Sequence, residues 1–202
     1  MKIVLENIGR RFGREWIFRK VNHTFSTGEK HSVLGTNGSG KSTLLQIIAG
    51  SVSPSEGKII LDNLSTPETI FRSISYAAPY LELAEEMTWR EAIRFQGKFK
   101  NYISGLDEEK IIELSGLQAS SEKQIRNFSS GMKQRARLAL AILADTPILL
   151  LDEPSTNLDA NAVNWYAGLI EKFAKGKLVI VCSNYNKEEY SFCTKELALK
   201  QA

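Results

Sequence analysis

The segment Gly35-Thr36-Asn37-Gly38-Ser39-Gly40-Lys41-Ser42-Thr43 satisfies the pattern G-x-x-x-x-G-K-[ST] through Gly35, Gly40, Lys41 and Ser42. His31 to Leu34, just before it, is a short apolar run, and Lys41 to Ala49, just after it, has the composition of a helix. Strand, glycine-rich turn and helix form the context in which this pattern acts as a phosphate-binding loop. Glycines let the backbone wrap closely enough for its N–H groups to converge on an anion. The helix starting near Lys41 adds its positive end. Gly35 to Thr43 are therefore candidate nucleotide-binding residues, with Lys41 expected on the β- and γ-phosphate oxygens and the Ser42 hydroxyl on Mg²⁺. A turn that merely caps a helix accounts less well for a strand on one side and a helix on the other.

A second segment, Ile148-Leu149-Leu150-Leu151-Asp152-Glu153-Pro154, is an apolar strand that ends in two adjacent carboxylates. Ligands in open α/β sheets bind at the carboxyl ends of strands, so both acids should emerge beside the glycine-rich turn. Asp152 is expected in the Mg²⁺ shell, through water or directly, and Glu153 as the general base that polarises an attacking water. Successive strand residues face opposite ways, which lets neighbouring acids take separate roles.

Around these two segments the chain alternates strands and helices as an α/β protein does. Strands are expected at Lys2 to Glu6, Phe12 to Phe18, Val21 to Phe25, Gly57 to Leu61, Ser73 to Ala77 and Leu178 to Cys182, and a helix at Asn161 to Lys175. Phe12 to Phe18 and Val21 to Phe25 suggest a small antiparallel patch around the first strand. From about 82 to 144 the sequence carries Glu, Lys, Leu and Ile at helical spacing, which predicts a helical insert in a parallel-sheet core. The 202 residues are 43% hydrophobic and 24% charged, enough to bury a core and too ordered in composition for general disorder. Lys and Arg number 26 against 23 Asp and Glu, and a net charge of +3 does not single out nucleic acid as a partner. No apolar run approaches the ~20 residues of a membrane-spanning helix. The start, MKIVLENIGRR, lacks the apolar block of an export signal. Cys182 and Cys193 match no metal spacing, which fits a reducing cytoplasm.

Taken together and in this order, the motifs resemble the nucleotide-binding subunit of an ATP-binding cassette (ABC) transporter over nearly the whole chain. The resemblance implies a RecA-like P-loop NTPase core, about 1–81 and 145–202, and a helical subdomain at about 82–144, within one domain spanning 1–202. Asn127-Phe128-Ser129-Ser130-Gly131-Met132 stands where the family has its signature, usually Leu-Ser-Gly-Gly-Gln, with Ser129 and Gly131 kept. The resemblance implies that these two grip the ATP of the opposite subunit, ahead of a helix from Met132 to Ala144. Ser155-Thr156-Asn157-Leu158-Asp159 is similar to the loop that communicates between two ATP sites, and Phe12 matches the aromatic that stacks on adenine. The cofactors implied are ATP and Mg²⁺. The partners implied are membrane-spanning subunits, docking near Pro79 to Thr88 and the helical lobe, and a second cassette, identical or different. The location implied is the cytoplasmic face of the membrane, with no nucleic acid bound and no appended regulatory domain.

Two positions depart from the family pattern. Asn184, in Ser183-Asn184-Tyr185, stands where the family usually has histidine; its amide can donate to a γ-phosphate but cannot carry a charge. Pro79, in Ala77-Ala78-Pro79-Tyr80, stands where the family usually has glutamine and supplies no side-chain ligand. Removing one preorganised donor from a charged transition state costs on the order of 10²–10³ in rate, so turnover should suffer more than binding. Asn184, Glu153 and Lys41 are the expected catalytic residues, with hydrolysis slow and partner-dependent. Other classes fit less well. A ribosome- or DNA-acting cassette usually carries paired cassettes or long arms, and Arg10, Arg11, Arg14, Arg19 and Lys20 read better as a solvated basic rim than as a nucleic-acid patch. Asn186-Lys187-Glu188-Glu189 is similar to the guanine-reading Asn-Lys-x-Asp but has Glu189 for Asp. A hydrolysis-impaired cassette that only binds ATP is the remaining alternative, and the retained Glu153 counts against complete inactivity.

Overall fold

The computed structural model describes residues 1–62 and 64–200, so position 63 and the last two positions of the expected core lie outside the described residues. The N-terminal β1 (Lys2–Phe12) and β2 (Glu15–Ser26) form a hairpin that turns at Gly13, where a φ of 58° suits a residue without Cβ. β3 (Lys30–Leu34) runs into the glycine-rich loop and α1 (Lys41–Ile48). β4 (Glu56–Leu61) returns to the other edge of β1, also antiparallel, giving a three-stranded sheet in the order β2-β1-β4.

α2 (Pro67–Ser73) leads into β5 (Ile74–Ala77). Three helices follow: α3 (Trp89–Gly97), α4 (Glu108–Ser115) and α5 (Ser130–Ile142). Each begins on a side-chain cap, from Thr88, Asp107 and Ser129, which occupies one of the unpaired N–H groups of the first turn. β6 (Ile148–Asp152), α6 (Ala160–Phe173), β7 (Leu178–Ser183), the short α7 (Lys187–Tyr190) and β8 (Lys195–Ala198) complete the chain.

Five strands form a parallel sheet in the order β5-β6-β7-β3-β8. β6 and β7 are buried along their whole length, as parallel strands covered on both faces must be. Alternation divides their side chains. Leu149, Leu151, Val179 and Val181 join the core that includes Trp89, Ile93, Ile111 and Tyr166, while Ile148, Leu150, Leu178 and Ile180 join Leu44, Leu45, Ile48 and the inner face of the small sheet. One layer of strands thus ties the helical insert to the nucleotide-loop side. The register aligns Val33 with Cys182 and Cys182 with Asp152, so the ends of β3, β7 and β6 lie in one row.

The α/β expectation with an antiparallel patch holds, with corrections of detail. The first strand continues to Phe12, and the two segments expected beyond it are one strand, β2, which passes through Arg19 and Lys20; charged residues on an exposed face do not end a strand, and Lys20 is absorbed as a local irregularity with φ of 52°. The strand expected at Gly57 to Leu61 is present as part of β4, and it lies in the small sheet. α2, α7 and β8 were not expected. Among the described residues, no helix is long and apolar enough to cross a membrane.

Candidate functional site

β3 ends at Leu34, and the chain then needs to reverse sharply to start α1. Gly35 is packed so closely that a Cβ there would lie 2.4 Å from the Ser39 Oγ and 2.7 Å from the Leu199 carbonyl oxygen. Gly40 caps α1 in the left-handed region, φ 93°, and a Cβ there would lie 2.5 Å from Ile17. Lacking a side chain, Gly40 leaves the first N–H groups of α1 without a side-chain cap, which makes this helix end available to an anion. The resulting cleft is lined by Ile17, Asn37, Gly38, Gly40, Lys41, Ser42, Thr43 and Glu153. Thr36 is exposed beside it and Ser39 is buried beneath it.

Lys41 is 5% exposed. Its ammonium donates to the carbonyl oxygens of Gly35 at 2.9 Å and Thr36 at 3.1 Å, and lies 4.0 Å from Glu153 Oε1. Glu153 has a φ of 42°, unusual for a residue with a side chain, and its N–H donates to the Cys182 carbonyl at 2.9 Å. That turn at the end of β6 carries the Glu153 carboxylate to the mouth of the cleft while Asp152 stays inside. Behind the loop, the Cys182 thiol points to the Lys41 carbonyl at 3.5 Å.

Asp152 is 2% exposed, and neither carboxylate oxygen has a hydrogen-bond partner among the described residues. Burial pushes its pKa up; the nearby Ser42 hydroxyl opposes this, and Glu153 adds repulsion. Buried carboxylate oxygens normally have partners. One carboxylate beside one hydroxyl, with the remaining positions open to phosphate oxygens and water, is the donor set a magnesium ion uses. The residues present therefore fit a hard divalent cation.

Other expected residues fall in different places. Phe12 is 56% exposed at the end of β1, with the Arg10 guanidinium 4.6 Å from its ring centre, and is not among the cleft-lining residues. Asn184 is exposed just past β7, on the row that ends in Ser183. Ser129 caps α5, its hydroxyl accepting from the Met132 N–H at 3.2 Å. Gly131 lies against the 155–159 turn, where a Cβ would come within 3.0 Å of the Asn157 carbonyl oxygen. Ser129 and Gly131 also do not line the cleft of their own chain. α5 is linked to the acidic pair instead, since Gln134 Nε2 donates to the Pro154 carbonyl at 2.9 Å.

The structure also gives residues roles that the sequence did not mark. Glu189, 3% exposed, accepts from the Ser155 N–H at 3.2 Å and from its hydroxyl at 2.7 Å. Asn186 Nδ2 donates to the same hydroxyl at 3.0 Å. The Asn-Lys-x-Glu segment therefore anchors the turn after Glu153, with the Asn186 and Glu189 side chains engaged there rather than held open for a base. Tyr80, pushed up to about 12 chiefly by burial, is hydrogen-bonded through its hydroxyl to the Tyr76 hydroxyl. The basic residues of the small sheet are largely engaged too: Arg19 pairs with Glu56 at 2.8 Å, Arg10 donates to the Ser53 carbonyl at 2.9 Å, and Arg11 and Arg19 lie over Trp16.

The sequence pattern of the family described as ABC transporter matches residues 18–156. The cytochrome c biogenesis ATP-binding export protein of Rhizobium etli is 32% identical over 192 residues, which cover 91% of this chain and 88% of that protein. An energy-coupling factor transporter ATP-binding protein of Thermotoga maritima is 34% identical over 167 residues, covering 79% of this chain and 63% of that protein. Among solved structures, a dimeric bacterial ABC transporter cassette is similar with a TM-score of 0.83 at 27% identity, over 98% of this chain and 94% of that one.

Proposed function

The chain belongs to the ABC transporter family, and from that premise we propose that it binds Mg²⁺ and ATP at the ends of β3 and β6 and hydrolyses the nucleotide to drive membrane-spanning partner subunits. The observation that carries this reading is the meeting of an ammonium and a carboxylate, Lys41 and Glu153, 4.0 Å apart, next to a buried Asp152 whose carboxylate has no hydrogen-bond partner among the described residues. Loop N–H groups from Asn37 to Thr43 bind the phosphates, and Lys41 exchanges its two carbonyl partners for β- and γ-phosphate oxygens. Ser42 and Asp152 hold Mg²⁺, which when bound neutralises charge on those oxygens. Glu153 accepts the proton of the water that attacks the γ-phosphorus, ADP departs, and the Asn184 amide donates to the γ-phosphate. Phe12 supplies a face for adenine.

Ser129 and Gly131 act across an interface, on the ATP of a second cassette, whether another copy of this chain or a different one. Neither is among the cleft-lining residues of its own chain, which supports this. The helical lobe, about 82–144, and the core around it work as one domain. The membrane-spanning partner docks in the apolar groove between β5 and α3, rimmed by Phe71, Tyr76, Leu83, Phe95 and Phe99, and holds the chain at the cytoplasmic face of the membrane. Phe71, Phe95 and Phe99 are each about half exposed, which favours an apolar occupant.

Titration of the protein with a fluorescent ATP analogue and Mg²⁺ tests the reading. Saturable binding that ATP displaces better than GTP is expected; no binding, or tighter GTP than ATP, contradicts it. The Asn184 assignment has its own test. Asn184→His should raise steady-state phosphate release by on the order of 10-fold or more, because a chargeable donor replaces a neutral one. Equal rates in the two proteins rule out a deficit at this position.

A further inference from the structure

Glu153 stands in the left-handed region, φ 42°, a conformation that a residue with a side chain keeps only where its surroundings fix it. The bond from its N–H to the Cys182 carbonyl fixes one side of the turn. The other side is fixed at Pro154 and Ser155, from two elements distant in sequence. Gln134 of α5, buried, donates to the Pro154 carbonyl. Glu189 of α7, also buried, accepts from both the N–H and the hydroxyl of Ser155.

Glu189 is itself held from two sides. The hydroxyl of Tyr166, a fully buried residue of α6, donates to the Glu189 carbonyl at 3.0 Å. Asn186, which caps α7, exchanges two bonds with Ser183 at the end of β7. Its N–H donates to the Ser183 hydroxyl at 3.1 Å, and that hydroxyl donates to the Asn186 carbonyl at 3.3 Å. Burying a carboxylate costs free energy that bonds from two neutral donors offset only in part. A smaller, neutral acceptor would secure an ordinary turn at lower cost. What sets this turn apart is the acid that it aims.

We propose that Glu189 is a positioning residue for hydrolysis: by holding Ser155, it keeps the strained turn in the form that points the Glu153 carboxylate at the cleft. The inference rests on the reading of Glu153 as general base and extends it to a side chain that takes no part in the proton transfer itself.

Single-turnover hydrolysis of ATP by the full chain, with nucleotide affinity measured in parallel, tests it. Glu189→Ala deletes both bonds to Ser155. It should lower the hydrolysis rate by on the order of 10–100-fold and leave ATP affinity within about 3-fold of wild type. Glu189→Gln keeps an oxygen able to accept both bonds and should recover the rate to within about 3-fold of wild type. Ser155→Ala removes one bond of the two and should slow hydrolysis by on the order of 3–10-fold, which keeps the test in hand should Glu189→Ala fold poorly. In a Glu153→Gln background, Glu189→Ala should cost less than about 3-fold more, because a residue that acts through Glu153 has nothing left to position. A full additional loss in that background overturns the proposal. So does a wild-type rate in Glu189→Ala or Ser155→Ala, a Glu189→Gln rate as low as that of Glu189→Ala, or a loss of ATP affinity in parallel with rate. Absence of hydrolysis in a wild type that binds ATP would instead sink the general-base reading beneath it.

Discussion

Glu153→Gln should lower steady-state phosphate release by on the order of 10²–10⁴-fold while leaving ATP affinity within a few-fold of wild type. The substitution keeps the size of the side chain and its ability to hydrogen-bond, and it removes only the capacity to accept a proton. The backbone that aims this side chain does not depend on the carboxylate, because the N–H bond to the Cys182 carbonyl fixes the turn. With chemistry blocked and both nucleotides retained, the variant should elute as a dimer from size-exclusion chromatography at saturating ATP and Mg²⁺. A wild-type rate in Glu153→Gln removes the general-base assignment. A slow variant that stays monomeric excludes self-pairing of this chain and leaves pairing with a different cassette.

Lys41→Ala should weaken ATP binding by on the order of 10–100-fold, the loss expected when charge-assisted hydrogen bonds worth about 1.5–3 kcal/mol are deleted. The same substitution frees the Gly35 and Thr36 carbonyls, which the ammonium now holds at 2.9 and 3.1 Å. A modest fall in thermal stability should accompany the loss of affinity. Lys41→Met separates the two effects, since it restores much of the packing of the 5%-exposed stem without the charge. Both variants should bind poorly. Unchanged affinity in either means that the phosphates lie elsewhere.

The phosphate loop was legible because its chemistry demands glycines at positions where any Cβ would collide, as at Gly35 and Gly40. β6 and β7 were legible for a related reason: strands covered on both faces read as unbroken apolar runs. β8 lacks that signature. Lys195 and Glu196 are exposed on an edge strand, so its place beside β3 comes from tertiary pairing alone. α2 did carry a local signal, Thr66 as a reciprocal cap with Thr69 and proline in the first turn, but its seven residues bury no side chain fully and give no apolar stripe. Gly57 to Leu61 was recognisable as a strand, but its partner was not: half-exposed strands of this length suit either sheet.

The site divides in the same way. Lys41, Ser42, Asp152 and Glu153 are fixed by short motifs, and the fold brings them together at the ends of β3 and β6. Glu189 is marked in the sequence only through a likeness to a guanine-reading motif, which does not point to its role at the Ser155 turn. Glu189 is buried only because the turn at Ser155 folds back onto α7. Contacts between residues so distant in sequence leave no periodicity to read. The left-handed backbone at Glu153 is equally silent in the sequence, although it decides which of two adjacent acids faces the cleft.

The most direct measurement is a crystal structure of Glu153→Gln grown with ATP and Mg²⁺. The account predicts a triphosphate wrapped by residues 35–43, the Lys41 ammonium on its β- and γ-oxygens, and the cation between Ser42 and Asp152. A nucleotide bound outside that loop, with Lys41 still on the Gly35 and Thr36 carbonyls, would contradict it.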